Sequence, residues 1–219
     1  MLKKFFTKLI LIFALTVFFA GCGNDDSPEK SFSEIQIALE QRNFEKLSER
    51  ADLEKFFSET YDAITVELAK EYETYQKKYP DDPYFQHDAD FLKDYNFTHK
   101  DLHLKFLNDV KTAYFEKLPE PQTPEENPHA YVANEFEKIR QATNAVIKKT
   151  EINGDKALMT VEMQGDGSIR GQFIGKLTFK ISFDKDEKNN WHFNKIENLD
   201  ELTPTLVDKA EMVWITFFN

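Results

Sequence analysis

The chain of 219 residues contains a single cysteine, Cys22. One cysteine excludes an internal disulfide bond, and it is too few for a metal site built from several thiolates. The folded part of the protein must therefore be stabilised by packing and hydrogen bonding alone. Cysteine-ligated metal centres are not expected.

Glycine is also scarce, and its distribution is uneven. No glycine lies between Asn24 and Asn153, whereas five of the seven fall between 154 and 175. Clustered glycines are typical of turns and bulges between β-strands. This distribution predicts a helical first part and a sheet in the second part.

Long apolar runs are rare, and the clearest lies near the start of the chain. Lys3, Lys4 and Lys8 precede an apolar run over residues 9–20 that only Thr16 interrupts. About a dozen residues are too few for a membrane-spanning helix, which needs about 20. A basic start followed by a short apolar run is typical of a secretory signal peptide. We therefore expect residues 1–21 to be a cleaved leader.

The end of this leader carries a family resemblance. Phe19-Ala20-Gly21-Cys22 resembles the lipobox of bacterial lipoproteins, with Phe19 where leucine is more usual. The resemblance implies a diacylglyceryl group on the Cys22 sulfur, cleavage after Gly21 and acylation of the new amine, for example with palmitate. Two or three acyl chains hold a protein firmly in a bilayer, whereas one binds only marginally. The alternative is an ordinary signal peptide followed by an incidental cysteine.

Basic residues are fewer than acidic ones, 28 against 39. Loss of residues 1–21 removes three lysines and no acids, which leaves 25 basic and 39 acidic side chains and a net charge of −14 in 198 residues. Such a surface repels phosphate backbones and anionic headgroups. No nucleic-acid partner is expected, and the lipid on Cys22 must hold the protein at the membrane, on the extracytoplasmic side of a bacterial envelope.

Five segments follow from these patterns. They are a signal peptide (1–21), a lipidated tether (22–30), a helical part (31–118), a proline-rich connector (119–129) and a β-meander part with a C-terminal helix (130–219). We expect the parts on either side of the connector to form one domain. Two subdomains are the alternative.

The helical part contains four recognisable patterns. Ser31 and Glu34 form a capping box that predicts a helix to about Gln41, and Asn43 can cap a short helix after it. Asp52 can cap a long helix that ends before Pro80. Residues 80–97 are predicted to be a loop, and Thr98 to start another helix that ends near Leu118.

The long helix carries an apolar stripe with an eleven-residue rhythm. Its members are Leu53, Phe57, Tyr61, Ile64, Leu68, Tyr72, Tyr75 and Tyr79. An eleven-residue repeat stays on one face of a nearly straight helix. The stripe is either a packing face or a ledge that binds an aromatic ligand.

The second part alternates apolar and polar residues as strands do. Strands are predicted at 142–152, 157–163, 173–183 and 191–196, with hairpin turns at Asn153-Gly154 and Asp166-Gly167. Thr203-Pro204 can start a final helix, and a strand over 212–218 is the alternative. The apolar residues that share one face of this helix are Leu206, Val207, Ala210, Val213, Trp214 and Phe217. The fold class is α+β, with N-terminal helices packed against a C-terminal antiparallel β-meander.

Two further stretches carry a family resemblance. The break Asn43-Phe44-Glu45-Lys46-Leu47 and the strand Trp191-His192-Phe193-Asn194-Lys195-Ile196 look like those of small bacterial lipoproteins of the cystatin-like or nuclear-transport-factor-like group. The resemblance implies helices packed across a curved sheet, sometimes around a pocket. It transfers no functional residues.

Candidate chemistry is sparse. His99 and His103 are four residues apart on a predicted helix and are candidate metal ligands, with Asp94 or Asp101 as a further ligand. Lys100 stands where a zinc-protease helix has glutamate, so surface histidines are the alternative.

The segment around Ser168 and Arg170 matches neither of two known motifs. Arg170 stands where a dinucleotide-binding fingerprint has its third glycine. A nucleophile elbow has a glycine two residues after its serine, and Ser168 lacks it. A hairpin tip explains this segment instead.

These observations predict a non-catalytic lipoprotein that binds or assembles with another protein of the envelope. No cofactor, no catalytic residue and no metal site beyond the candidate histidines is expected. The alternative is a small-molecule binder with an aromatic pocket between the sheet around Phe179 and the long helix.

Overall fold

The computed structural model describes residues 26–217, and for residues 211 and 213–217 it describes only the backbone. The described chain is an α+β fold, as predicted, with helices first and a four-stranded antiparallel sheet after them. The helices before the sheet are α1 (Pro28–Glu40), α2 (Phe44–Ser48), α3 (Leu53–Lys70), α4 (Tyr72–Lys78), α5 (Ala89–Phe115) and α6 (Pro128–Gln141).

Helix α1 begins three residues before the predicted start. Its N-cap is Ser27, whose side chain accepts a hydrogen bond from the Lys30 backbone N–H, and Pro28 occupies the first helical turn. The predicted cap Ser31 is instead fully buried and donates a hydrogen bond to the Trp191 carbonyl oxygen, 2.7 Å away. The last three residues of the expected tether are therefore helical. The predicted caps Asn43 and Asp52 are confirmed.

The single long helix predicted from Asp52 to Tyr79 is two helices, α3 and α4. The chain leaves helical geometry at Glu71, where φ is −100° and ψ is 16°. The apolar stripe continues across this break, because Tyr61, Ile64, Leu68 and Tyr75 are all buried. Helix α3 packs against α5 and against the C-terminal helix described below. The stripe is thus a packing face, as one of the two interpretations predicted.

Helix α5 is the longest, with 27 residues, and begins nine residues before the predicted start at Thr98. Its N-cap is Asp88, whose carboxylate accepts a hydrogen bond from the Phe91 backbone N–H. The second half of the expected loop over 80–97 is therefore α-helix, preceded by one short 3₁₀ turn at Pro83–Phe85.

The proline-rich connector leads into a helix that the sequence did not predict. Asn127 caps α6, and Pro128 lies in its first turn. Helix α6 packs against α5, and its end leads directly into the sheet. One hydrophobic cluster contains buried side chains from both sides of the connector, for example Tyr61 and Phe179.

The sheet is a meander of neighbouring antiparallel strands in the order β1-β2-β3-β4. The strands are β1 (Thr143–Asn153), β2 (Lys156–Gly165), β3 (Lys176–Lys185) and β4 (Trp191–Ile196). A bulge between Ile147 and Lys149 leaves Lys148 without a partner residue in β2. At the other edge, Ala51 bridges Phe193 of β4. One face of β3 is buried core, with Leu177, Phe179, Ile181 and Phe183, as predicted.

The predicted hairpin at Asp166-Gly167 is wrong. Between β2 and β3 the chain forms a short helix, α7 (Ile169–Ile174), so Phe173 lies in a helix and not in a strand. The turn at Asn153-Gly154 is confirmed, and Gly154 has the positive φ (62°) that glycine adopts without strain.

The chain ends in helix α8 (Leu199–Phe217), so the helical alternative for this segment is correct. It begins four residues before Thr203, and Pro204 lies inside it. Leu206, Val207 and Ala210 are buried as expected for its inner face. The side chains of Val213, Trp214 and Phe217, predicted for the same face, lie outside the described residues.

Candidate functional site

A polar surface hollow of about 400 Å³ lies between α6 and α7, and we call it the α6–α7 hollow. It is lined by Lys138, Gln141, Ala142, Asp166, Ser168, Ile169 and Arg170. These residues come from the end of α6, the turn after β2 and the start of α7. Two segments distant in sequence thus form one surface.

Close backbone packing holds α7 against the end of α6. The Asp166 N–H donates to the Ala142 carbonyl oxygen (2.9 Å), and Ser168 caps α7 by accepting a hydrogen bond from the Gly171 N–H (3.1 Å). A Cβ atom on Gly165 would lie 1.9 Å from the Gly171 carbonyl oxygen. Only a residue without a side chain fits at position 165, which explains why this member of the glycine cluster is a glycine.

A buried carboxylate organises the positive charges of the hollow. The Glu135 side chain is 4% exposed and receives hydrogen bonds from the Arg170 guanidinium at 3.0 to 3.1 Å. Lys138 also donates to Glu135, at 2.8 Å, and contacts the exposed Glu120. Because both cations share one carboxylate, the side chains of Arg170 and Lys138 are held in fixed positions.

A second charged cluster lies on another side of α6, around Glu137, two residues after Glu135. Glu137 accepts hydrogen bonds from Arg140 at 2.6 and 2.8 Å and from Gln141 at 2.8 Å. The Tyr114 hydroxyl lies 2.9 Å from the same carboxylate. Burial alone would raise the pKa of Glu137, but the hydrogen bonds from Arg140, Tyr114 and Gln141 lower it. Glu137 therefore stays ionised and joins α5 to α6.

The residues that line the hollow offer no nucleophile with a base beside it. Its one hydroxyl, on Ser168, caps α7, and no histidine is among its lining residues. Hydrogen bonds from Ser168 lower the pKa of Asp166, so its carboxylate is ionised. Ile169 is 64% exposed beside these charges. Fixed charges of both signs around one exposed apolar side chain suit a polar partner segment with a small apolar contact.

The candidate metal ligands His99 and His103 lie close together, but their rings stack. Their centroids are 6.0 Å apart with 23° between the ring planes. Nδ1 of His99 lies 2.7 Å from the Tyr95 carbonyl oxygen, and His103 is fully buried. The described residues contain no group of three or more potential ligands that could hold a metal ion. Asp94 and Asp101 are both exposed.

His103 instead belongs to a buried polar network. Its Nδ1 lies 2.6 Å from the Tyr61 hydroxyl, which lies 2.9 Å from the Asn96 carbonyl oxygen. A proton on Nδ1 satisfies both contacts, because His103 then donates to Tyr61 and Tyr61 donates to Asn96. Burial, with a smaller contribution from His99, lowers the pKa of His103 to about 3. The imidazole is therefore neutral near pH 7.

The aromatic pocket considered around Phe179 coincides with the core. Phe179 is 1% exposed and belongs to the cluster that also contains Met159 and Phe183. Its ring is thus a packing element of the sheet and does not line an open surface.

The predicted lipidation site, Cys22, lies outside the described residues, as do the leader and residues 23–25 of the tether. Within residues 26–217, no helix combines the length and apolarity that crossing a bilayer requires.

Comparison of the chain with protein-family models, with curated proteins and with solved structures finds no significant match. The resemblance to cystatin-like and nuclear-transport-factor-like lipoproteins therefore stays a prediction. Sequence reasoning noticed Arg170 and Ser168 only as departures from known motifs. The charge pairing of Arg170 with Glu135 spans 35 residues and leaves no local signal.

Proposed function

We propose that this protein is a membrane-anchored extracytoplasmic lipoprotein whose folded part is a non-catalytic binding or assembly module. The observation that carries the anchor is the position of Cys22, directly after Phe19-Ala20-Gly21 and at the end of a basic and apolar leader. Helix α1 has its N-cap at Ser27, five residues after this cysteine.

Fatty-acid labelling tests the anchor. In a bacterial host with lipoprotein processing, the full chain is expected to incorporate labelled palmitate and to sediment with membranes, and Cys22→Ser is expected to lose both properties. A matched control combines Cys22→Ser with Gly23→Cys, which restores a thiol one position too late for cleavage after Gly21. Labelling of either variant at the level of the natural chain would refute the anchor.

We assign the binding role to the α6–α7 hollow. Arg170 and Lys138 are held on Glu135, so little side-chain entropy is lost when they meet a partner. Ile169 supplies an exposed apolar contact at the same place. Protein interfaces place a polar rim around an apolar contact and are enriched in arginine, and Ile169 with Arg170 fits this arrangement.

Site-specific photo-crosslinking tests this assignment. A photoreactive amino acid at position 169 is expected to give a discrete adduct in intact cells, and the same amino acid at the exposed Thr112 on α5 is expected to give none. Arg170→Glu should abolish the adduct from position 169. Equal adducts at 169 and 112, or an adduct that survives Arg170→Glu, would contradict a partner at the hollow.

A further inference from the structure

The start of the described chain is fixed to one end of the sheet. The carboxylate of Asp26 lies 3.9 Å from the Arg50 guanidinium, and the Arg50 carbonyl oxygen accepts a hydrogen bond from the Phe193 N–H at 2.8 Å. Five residues later, the buried Ser31 hydroxyl donates to the carbonyl oxygen of Trp191, the first residue of β4. Helix α1 therefore begins beside the start of β4.

That end of the sheet carries both of its tight turns. The β1–β2 turn and the β3–β4 turn lie side by side, because Lys156 pairs with Asp184 and Lys185 pairs with Trp191. A hydrogen bond of 2.9 Å from the Lys185 N–H to the Asp155 carbonyl oxygen joins them. We call residues 149–157 and 184–190 the turn end of the sheet.

The α6–α7 hollow lies at the opposite end of the same strands. There Thr143 pairs with Gly165, and Gln164 pairs with Lys176. A strand of ten residues is about 34 Å long, since each residue adds about 3.4 Å. The turn end and the hollow are thus separated by about the length of the sheet.

The tether is short compared with this separation. Five residues separate Cys22 from Ser27, and even a fully extended chain covers only about 17 Å over that distance. A lipid on Cys22 therefore holds the start of α1, and with it the turn end, closer to the bilayer than the hollow.

Charge does not distinguish the turn end from the rest of the protein. It carries four lysines and five acidic residues, a net charge of −1 in 16 residues, whereas residues 22–219 carry −14 in 198 residues. The charge per residue is therefore about the same, and the short tether alone carries the orientation. Ile152 near the end of β1 is 57% exposed, so this end also presents an apolar side chain.

We propose that the turn end of the sheet faces the lipid bilayer, with the α6–α7 hollow directed away from it. This orientation rests on the proposed lipid anchor at Cys22. It places the binding surface where a partner in the aqueous space reaches it, about the length of the sheet beyond the membrane-facing turns.

Energy transfer to labelled lipid tests the orientation. The mature protein has its only cysteine in the lipid linkage, so one added cysteine carries a unique fluorophore. Asp155→Cys marks the turn end and Ile169→Cys marks the hollow. The lipidated full-length protein is placed in vesicles of phosphatidylethanolamine and phosphatidylglycerol that carry an acceptor on their headgroups. We expect at least twofold more transfer from position 155, and equal or reversed transfer would overturn the orientation.

A longer tether provides the second measurement. Ten glycine and serine residues inserted after Asn24 should reduce the difference between positions 155 and 169, because the body is then free to turn. An unchanged difference would show that the tether does not set the orientation. Mass spectrometry of each preparation separates the two proposals. An unmodified Cys22 refutes the anchor itself, whereas a modified Cys22 with reversed transfer refutes only the orientation.

Discussion

The Tyr61 hydroxyl lies 2.6 Å from Nδ1 of His103, and both side chains are fully buried between α3 and α5. This pair places a titratable group in the packed centre of the helical part. The imidazole is held neutral there, since its pKa is lowered to about 3. Four predictions follow from this pair and from the packing around the hollow.

The first prediction concerns stability in acid. In the unfolded chain His103 titrates near pH 6.5, but in the folded protein it stays neutral until about pH 3. Between these values the unfolded state binds one more proton, so stability falls as the pH falls, by up to about 1.4 kcal/mol per pH unit from this residue.

Urea unfolding at a series of pH values measures this effect. His103→Gln should lose less stability between pH 6.5 and pH 4.5 than the natural chain. His87→Gln, at an exposed position, should follow the natural chain closely. Parallel curves for His103→Gln and the natural chain would show that His103 does not titrate as described.

The second prediction concerns the Tyr61 hydroxyl itself. Tyr61→Phe removes the group that lies between Nδ1 of His103 and the Asn96 carbonyl oxygen, and it leaves both without this partner in the interior. We expect a loss of about 1–3 kcal/mol in the free energy of unfolding. Tyr72→Phe is the matched control, because its hydroxyl only contacts the exposed side chain of Glu73. Equal losses in thermal or urea unfolding would count against the network.

The third prediction concerns the carboxylate beneath the hollow. Glu135→Gln keeps the shape of the side chain but removes the charge that holds Arg170 and Lys138. We expect a loss of about 1–3 kcal/mol, because hydrogen bonds to a buried charged group are among the stronger ones. Glu120→Gln removes an exposed partner of Lys138 and should cost about 0–1 kcal/mol. A larger effect at 120 than at 135 would be inconsistent with this arrangement.

The fourth prediction concerns the close approach of β2 to α7. Alanine at position 165 would place a methyl group 1.9 Å from the Gly171 carbonyl oxygen, so the backbone must shift. We expect Gly165→Ala to destabilise the fold by about 1–3 kcal/mol or more. Gln164→Ala, at the exposed neighbouring position, is the control. If both variants unfold at the same urea concentration, the packing around position 165 is looser than described.

The elements that local chemistry determines could be predicted from the sequence. Asn43 and Asp52 each accept a hydrogen bond from a backbone N–H three residues ahead, which makes the start of a helix readable. The strand over 177–181 alternates buried with more exposed side chains as its sequence does, whereas Ser182 beyond it is buried on the other face. Asn127-Pro128 is an equally local signal for α6, with a cap followed by proline, but the density of prolines over 119–128 favours a connector at the same place.

The first nine residues of α5 could not be predicted in this way. Their buried face includes the polar side chain of Asn96, which interrupts the apolar periodicity that identifies a helix. Its Oδ1 accepts a hydrogen bond from the Tyr84 hydroxyl, which lies in another element of the fold. The hollow could not be predicted from the sequence either. Its charged side chains are brought together by contacts between α6 and α7, and these contacts leave no local pattern in the sequence.

The two edges of the sheet also bear on how copies of the protein behave at high density. Exposed strand edges invite pairing with another chain, which leads to aggregation. Ala51 covers part of the β4 edge, and the bulge at Lys148 interrupts the regular spacing of β1. Many copies crowded on one surface are thus discouraged from joining their sheets edge to edge into fibrils.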